Sequence, residues 1–259
     1  MTRSLGGAAA RITLGALIAL AVAVLTLSDA AGLDLTPGGA ARMPTDAGPG
    51  AALADLPIVE LPPARKPEAL AVILSGDGGW RDLDKVIGED LAAGPFAVIG
   101  LDSLRYFWSV KDAQTIARDL ERILRHYGEA WDADRVILVG YSFGAGVLPA
   151  TIRHLPTDLQ SRVDLVVLLA PQEHADFEIR VAGWAGVKSA GQAVLPDAVE
   201  LDPRKLMCVY GDEDEESLCV NPALHDVERV RTGGGHHFDG DYPRLAELIR
   251  HGFESRRPR

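Results

Sequence analysis

Five unbroken apolar runs recur along the chain, and each ends at or next to a glycine or an alanine. Runs of this kind are typical of strands in a parallel sheet, because helices cover both faces of such a sheet. A shorter segment, "PIVELP", precedes them and predicts an edge strand. The five runs are residues 69–76, 96–101, 135–140, 164–170 and 206–211.

Segments with helical periodicity separate these predicted strands. In residues 113–131 the apolar side chains recur three and four positions apart, so they fall on one face of a helix. Further helices are predicted after Ser142 and over residues 242–251. The alternation predicts an α/β fold with a mostly parallel central sheet and helices on both faces. The side chains expected to face inward are Ile116, Leu120, Ile123, Leu124 and Tyr127 in the first helix and Leu245, Leu248 and Ile249 in the last.

Two segments break this alternation. Residues 31–55 are rich in Ala, Gly and Pro and have almost no periodicity, which predicts a flexible linker or a disordered mature N-terminus. Residues 173–199 predict an insertion over the carboxyl edge of the sheet, where loops usually shape a binding site. The pattern therefore predicts one folded domain over residues 56–259.

The first thirty residues have the composition of a secretory signal peptide. Arg3 and Arg11 precede an apolar run over residues 12–27, and Ser28, Asp29 and Ala30 then form a small-x-small cleavage pattern. Because the run is short for a membrane span, cleavage is favoured over a retained anchor, which stays the alternative. Residues 1–30 are thus expected to direct export.

The charge of the chain restricts its partners. The formal net charge is −11, which argues against nucleic acid as the main partner, because phosphate binding needs clustered Lys and Arg. An acidic balance is weak support for a cationic ligand.

Two cysteines, Cys208 and Cys219, flank the segment "VYGDEDEESL". Export would place them in an oxidising compartment, so we expect a disulfide that closes this short loop. Two buried free thiols are the alternative.

The segment "RVILVGYSFGAGV" is the strongest chemical signal. It places Gly140, Ser142 and Gly144 in G-x-S-x-G order between a predicted strand and a predicted helix. This is the pattern of a nucleophile elbow, in which a serine is exposed at a tight strand-to-helix turn. The alternative is a glycine-rich turn in a nucleotide-binding fold.

A nucleophilic serine needs a base, and the base needs an orienting acid. In this class of site the order along the chain is Ser, acid, His. The acid is expected in the loop after "LMCVYG", and we choose Asp214, the third residue after Gly211; the other acids there are expected to form a solvated loop. The base is expected at the histidine pair, His236 and His237, behind three glycines.

The oxyanion hole is expected from two backbone amides. One is the N–H of Phe143, which follows the serine, and the other is that of Asp77 in "LSGDGGW" after an early strand. The carboxylate of Asp77 has two alternative roles, to bind a cationic substrate group or to cap the next helix, and the cap is preferred.

Five segments in order resemble one known family: "LSGDGGWRDLD", "GLDSLRYFW", "VGYSFGAGVLP", "CVYGDEDEESLC" and "GGGHHFDGDY". The chain is similar over residues 56–252 to the bacterial virulence proteins of the VirJ and AcvB family, exported proteins with an α/β-hydrolase fold. One departure is Gly146, where a polar residue such as Asp is expected.

The resemblance implies a periplasmic serine hydrolase without a cofactor. It implies Ser142 as nucleophile, Asp214 as acid and His236 as base, with His237 a neighbour that packs or contacts substrate. The family is associated with hydrolysis of lysyl-phosphatidylglycerol and, in some members, with type IV secretion, so the expected partners are an aminoacylated phospholipid or another small ester, a membrane surface and secretion components.

Several residues in these segments are candidates for substrate contact. Aromatic residues after the strand ending at Leu101 are expected to shield a pocket or touch a lipid surface, and core packing is the alternative, above all for Phe107. The full set of candidate contacts is Asp77, Trp80, Tyr106, Trp108, Tyr141 and His237.

Three other functions compete with this hypothesis. The same chemistry could act on another lipid ester, a small ester or a peptide, or the scaffold could serve a secretion system as an accessory protein without turnover. A metal enzyme is the weakest alternative, because adjacent histidines rarely bind one ion and no His-x-x-x-His or Cys/His set completes a site.

Overall fold

The computed structural model describes residues 53–179 and 191–256. The predicted signal peptide and all but the last three residues of the predicted linker lie outside the described residues, as does the middle of the predicted insertion. The first described residues already pack against the core, since Leu53 and Leu56 are both buried.

Within these ranges the strands form one seven-stranded sheet and one small two-stranded sheet. The large sheet has the order β1-β3-β2-β4-β5-β8-β9, in which β1 is antiparallel at one edge and the other neighbours are parallel. The five apolar runs and "PIVELP" all form strands of this sheet. The strands are β1 Ile58–Leu61, β2 Ala69–Leu74, β3 Phe96–Leu101, β4 Val136–Tyr141, β5 Val163–Leu169, β6 His174–Ala175, β7 Gln192–Ala193, β8 Leu206–Gly211 and β9 Glu228–Thr232.

Helices cover both faces of the large sheet, as predicted. In β2, Leu70, Val72 and Leu74 join the core cluster that also holds the buried residues of α3 and α4. The alternate positions of β2 join a second cluster that holds the buried residues of α1 and α7. The described helices are α1 Asp82–Ala93, α2 Ser103–Tyr106, α3 Ala113–Ala130, α4 Phe143–Arg153, α5 Thr157–Arg162, α6 Leu195–Ala198 and α7 Tyr242–Ser255.

The apolar face predicted for residues 113–131 is the buried face of α3. All five of its predicted inward side chains are at most 4% exposed. Asp112 is the N-cap of this helix, and its carboxylate accepts a hydrogen bond of 2.6 Å from the amide of Thr115. The N-cap and the buried apolar face therefore both stabilise the helix that the sequence predicts here.

The described part of the insertion lies against α4. Strands β6 and β7 pair as an antiparallel ribbon, and a Cβ added at Gly146 would lie 2.8 Å from the Cβ of Ala175. The polar side chain expected at position 146 would collide with this ribbon. The predicted helix cap at Asp77 is wrong, since the N-cap residue of α1 is Arg81 and the helix receives no side-chain cap.

The predicted disulfide between Cys208 and Cys219 is confirmed. The two Cα atoms are 5.5 Å apart, and both residues are fully buried. The bond joins the middle of β8 to a 3₁₀ turn and encloses the loop that carries Asp214. Among the described helices, none is both long enough and apolar enough to cross a bilayer.

Candidate active site

Ser142 lies at the tight turn between β4 and α4. Its backbone angles are φ 49° and ψ −107°, a left-handed conformation that costs energy for a residue with a Cβ. A side chain at Gly144 would collide with the backbone carbonyl of Leu74, so the turn also depends on glycine at that position. This is the geometry of a nucleophile elbow, and it presents the half-buried serine at the carboxyl edge of the sheet.

His236 connects Ser142 to Asp214. Its Nε2 lies 2.8 Å from the hydroxyl oxygen of Ser142, and its Nδ1 lies 3.1 Å from Oδ2 of Asp214. Since a carboxylate only accepts hydrogen bonds, Nδ1 carries the hydrogen and Nε2 is left to accept from the serine. An imidazole in this position can accept the hydroxyl proton of Ser142.

The loops that carry the acid and the base are hydrogen-bonded to each other. Oδ1 of Asp212 accepts from the amide of Gly234 at 3.0 Å, and the amide of Glu213 donates to the carbonyl of Gly234 at 2.9 Å. Gly234 has φ +82°, which favours glycine, so the second glycine of "TGGGHH" makes this docking feasible. Asp212 therefore has a structural role that the sequence interpretation of a solvated loop did not assign.

The second histidine of the pair contacts Tyr141. The Tyr141 hydroxyl and Nδ1 of His237 are 2.6 Å apart. Burial, followed by the charge of Asp84, raises the pKa of Tyr141, so its hydroxyl stays protonated, and it also donates to the backbone carbonyl of His236 at 3.5 Å. The tyrosine and His237 thus brace the end of the loop that presents His236.

Two backbone segments meet at the serine. Phe143 is the first residue of α4, and the first N–H groups of a helix have no partner inside the helix. The loop after β2 lies beside the serine, since a Cβ built on Gly76 would be 3.9 Å from the Cβ of Ser142, and Asp77 is exposed in this loop. Ser75 anchors the loop, because the hydroxyl of Ser103 donates to its carbonyl at 2.7 Å and the amide of Ser103 donates to its hydroxyl at 2.9 Å.

These segments surround a cavity of about 930 Å³ that contains Ser142 and His236. Carboxylates dominate its charged side chains, and Arg81 is the single Arg or Lys among its described lining residues. The insertion contributes part of the wall through His174 and Ala175. The lining carboxylates are Asp77, Asp82, Asp84, Glu173, Asp176, Glu215 and Glu216.

Three of the aromatic candidates for substrate contact are not among the described lining residues of this cavity. Trp80 packs over Gly100, where any side chain would collide with the indole ring. Tyr106 is buried and donates to Oδ2 of Asp119 at 2.6 Å. Trp108 is 62% exposed, whereas Tyr141 and His237 do line the cavity.

Phe107 belongs to the core. It is fully buried, and its ring meets that of Phe143 edge-on with centroids 4.8 Å apart. Core packing, the alternative for this residue, is therefore what the structure shows.

The sequence interpretation missed Asp84. This carboxylate lines the cavity, yet it is only 3% exposed. Burial raises the pKa of Asp84 to about 7, although backbone N–H groups at Asp84, Arg81 and Gly76 oppose the shift. The available signal was its spacing, because Asp84 precedes Ile87, Gly88 and Leu91 by three, four and seven positions and so shares their buried face.

In the described part of the chain, no group of three or more His, Cys, Asp or Glu residues is arranged to hold a metal ion. The histidine pair divides instead between Ser142 and Tyr141.

Comparison with known proteins supplies a family and a fold. The sequence model of a family described as bacterial virulence protein (VirJ) matches residues 68–257. No curated protein sequence matches the chain.

Three solved structures illustrate the similarity of fold. MenH from S. aureus is 13% identical, with 77% of this chain and 98% of its own covered and a TM-score of 0.56. A thermophilic esterase from Thermogutta terrifontis is 18% identical, with 77% and 93% covered and a TM-score of 0.55. Est1E from Butyrivibrio proteoclasticus, with ferulic acid bound, is 13% identical, with 78% and 95% covered and a TM-score of 0.53. At these identities the similarity shows the α/β-hydrolase fold alone.

Proposed function

From the premise that the chain belongs to the VirJ family of bacterial virulence proteins, we propose that it is a serine hydrolase that cleaves an aminoacyl ester. The observation that carries the proposal is the hydrogen-bonded series Ser142, His236 and Asp214 at an acid-lined cavity. The substrate we propose is lysyl-phosphatidylglycerol, which joins a cationic acyl group to a phospholipid alcohol.

The reaction begins with acyl transfer to the enzyme. The oxygen of Ser142 attacks the ester carbonyl while Nε2 of His236 takes the hydroxyl proton. Asp214 stabilises the imidazolium that forms, and the amides of Phe143 and Asp77 donate to the oxyanion. Collapse of the tetrahedral intermediate breaks the ester bond, and His236 gives its proton to the departing phosphatidylglycerol oxygen.

Water completes the cycle at the same site. The water oxygen attacks the acyl-serine carbonyl while His236 takes a proton from the water. Collapse of this second tetrahedral intermediate breaks the bond between the acyl carbon and the serine oxygen, and His236 returns the proton to Ser142. The products are free lysine and phosphatidylglycerol.

Charge and fold context support the substrate and its location. An acid-lined cavity favours a cationic acyl group, because the carboxylates attract a cation, repel an anion and gain nothing from an uncharged fatty chain. The confirmed disulfide agrees with an oxidising compartment such as the periplasm, where a cleaved signal peptide would deliver the chain. Exposed Trp108 and Val110 offer apolar side chains to a bilayer surface that presents the substrate.

The proposal is tested by lysine release from vesicles that contain lysyl-phosphatidylglycerol. The mature chain should release lysine, and both Ser142→Ala and His236→Ala should lower kcat by about 1,000-fold or more. His237→Ala is the matched control, for which we expect only a partial loss, since this imidazole contacts Tyr141. An unchanged rate in Ser142→Ala would exclude the mechanism, and a larger loss in His237→Ala than in His236→Ala would reverse the assignment of the base.

A further inference from the structure

Asp84 occupies a position where a carboxylate is unusual. It lies on the buried face of α1 beside Leu83 and Ile87, and it is 3% exposed. Its Oδ1 is buried and has no hydrogen-bond partner among the described residues. A buried acceptor without a donor destabilises the folded protein, so a donor that binds to this oxygen removes an energetic cost.

The carboxylate lies close to the reacting centre. Asp84 lines the same cavity as Ser142, and the backbone N–H of Gly76 is near enough to lower the pKa of its carboxyl against the larger effect of burial. Gly76 in turn lies next to the nucleophile, because a Cβ built on it would be 3.9 Å from the Cβ of Ser142 and 3.0 Å from the Tyr141 ring. Gly76 is thus near both the buried carboxylate of Asp84 and the side chain of Ser142.

The charge of the cavity selects the kind of donor. Carboxylates outnumber the single Arg among its described lining residues, so a cation is favoured over an anion. Most of these carboxylates are exposed, and water and salt screen their charges. Among the Asp, Glu, Lys, Arg and His residues that the structure describes, Asp84 alone is buried, so its interaction with a cation is screened least.

We propose that Asp84 binds the ammonium group of the substrate's acyl part. The inference rests on the proposed function, since it takes Ser142 as the group that attacks the same acyl carbonyl. A primary ammonium carries three N–H donors and so supplies the partner that Oδ1 lacks. A bound cation also favours the ionised form of a carboxyl group whose burial raises its pKa to about 7.

The test uses four esters of one shared alcohol that differ only in their amines. Lysyl carries an α-amine and an ε-amine, norleucyl carries the α-amine, 6-aminohexanoyl carries the terminal amine, and hexanoyl carries neither. For Asp84→Asn, kcat/KM for lysyl and at least one other amine-bearing ester should fall about 10- to 100-fold, the usual effect of losing a charged hydrogen bond. The value for hexanoyl should stay within about 2-fold, because the Asn amide keeps the shape of the side chain.

Asp90→Asn is the matched control. It makes the same change six residues along α1, outside the described lining of the cavity, and it should leave the preference for amine-bearing esters as in wild type. If Asp84→Asn does not fold, Asp84→Ser removes the same charge with a smaller side chain and is measured in its place.

The outcomes separate this inference from the proposed function. A loss of equal size on hexanoyl and amine-bearing esters, or an unchanged preference in Asp84→Asn, would overturn the role of Asp84 while Ser142-dependent hydrolysis persists. If the wild-type protein cleaves none of the four esters, or if Ser142→Ala cleaves them at the wild-type rate, the proposed function itself fails.

Discussion

Asp84→Asn should gain stability relative to the wild type as the pH rises towards the folded-state pKa of Asp84, about 7, and the gain should level off above it. Burial raises the pKa of Asp84 from 3.8 to about 7 in the folded state, with the charge of Asp102 adding to the shift. At pH values between 3.8 and about 7, the carboxyl group of Asp84 loses its proton in the unfolded chain and keeps it in the folded protein. The folded state therefore binds more protons in this window, and stability falls as the pH rises through it.

The magnitude follows from the size of the shift. A pKa raised from 3.8 to about 7 corresponds to roughly 4 kcal/mol across the whole window, at 1.36 kcal/mol for each pH unit. Between pH 5 and pH 8 the share is about 2–3 kcal/mol. Asn cannot ionise, so the variant lacks this loss of stability.

Urea unfolding of wild type and Asp84→Asn at pH 5 and pH 8 measures the effect. The difference in unfolding free energy should shift in favour of the variant by about 2–3 kcal/mol between the two pH values. Asp90→Asn controls for the general effect of removing one negative charge from α1. If the difference in unfolding free energy between wild type and Asp84→Asn is the same at pH 5 and pH 8, the pKa of Asp84 is not raised by folding.

Three further predictions concern the surroundings of the site. Reduction of the Cys208–Cys219 disulfide, which joins residues 11 positions apart, should lower the unfolding free energy by roughly 3 kcal/mol in urea titrations with and without reductant; equal midpoints would contradict this. Tyr141→Phe removes the 2.6 Å hydrogen bond to His237 and should cost about 1 kcal/mol of stability and a few-fold in kcat, whereas wild-type values for both would exclude the bracing role. Trp108→Ser should slow hydrolysis of a vesicle-borne ester several-fold, because the exposed indole is expected to contact the lipid surface. Hydrolysis of a soluble ester should be unaffected; equal losses on both esters would contradict a lipid contact.

The fold follows from the sequence because its strands are buried on both faces. Each predicted apolar run forms a strand of the large sheet, and the glycine or alanine at its end marks the loop that leaves the sheet. The amphipathic pattern of α3 matches its buried face for the same reason. Shorter helices such as α2 and α5 have too few turns for a periodic pattern, and the sequence interpretation did not single them out.

The sequence could predict that Ser142, Asp214 and His236 lie close together, because topology brings their loops together. Ser142 follows β4, Asp214 follows β8 and His236 follows β9, and the carboxyl ends of parallel strands meet at one edge of a sheet. Their hydrogen bonds then depend on local contacts that no spacing reveals, such as the one between Asp212 and Gly234.

The walls of the site were harder to predict. Trp80 belongs to a glycine-rich segment, which suits either a pocket or a core. The ring packs inward because Gly88 and Gly100 have no side chains that would collide with it. The burial of Tyr106 likewise depends on a residue in another element, since its hydrogen-bond partner Asp119 lies in the next helix along the chain. Side chains that depend on distant neighbours carry no local signal.

Labelling with a fluorophosphonate, which reacts covalently with activated serines, shows whether Ser142 is a nucleophile. Mass spectrometry of the digested protein should find the adduct on Ser142, and His236→Ala should lose the labelling because the serine then lacks its base. Prior incubation with a lysyl ester should slow the labelling of wild type. A folded protein that carries no adduct on Ser142, or a His236→Ala variant that labels at the wild-type rate, would contradict the account.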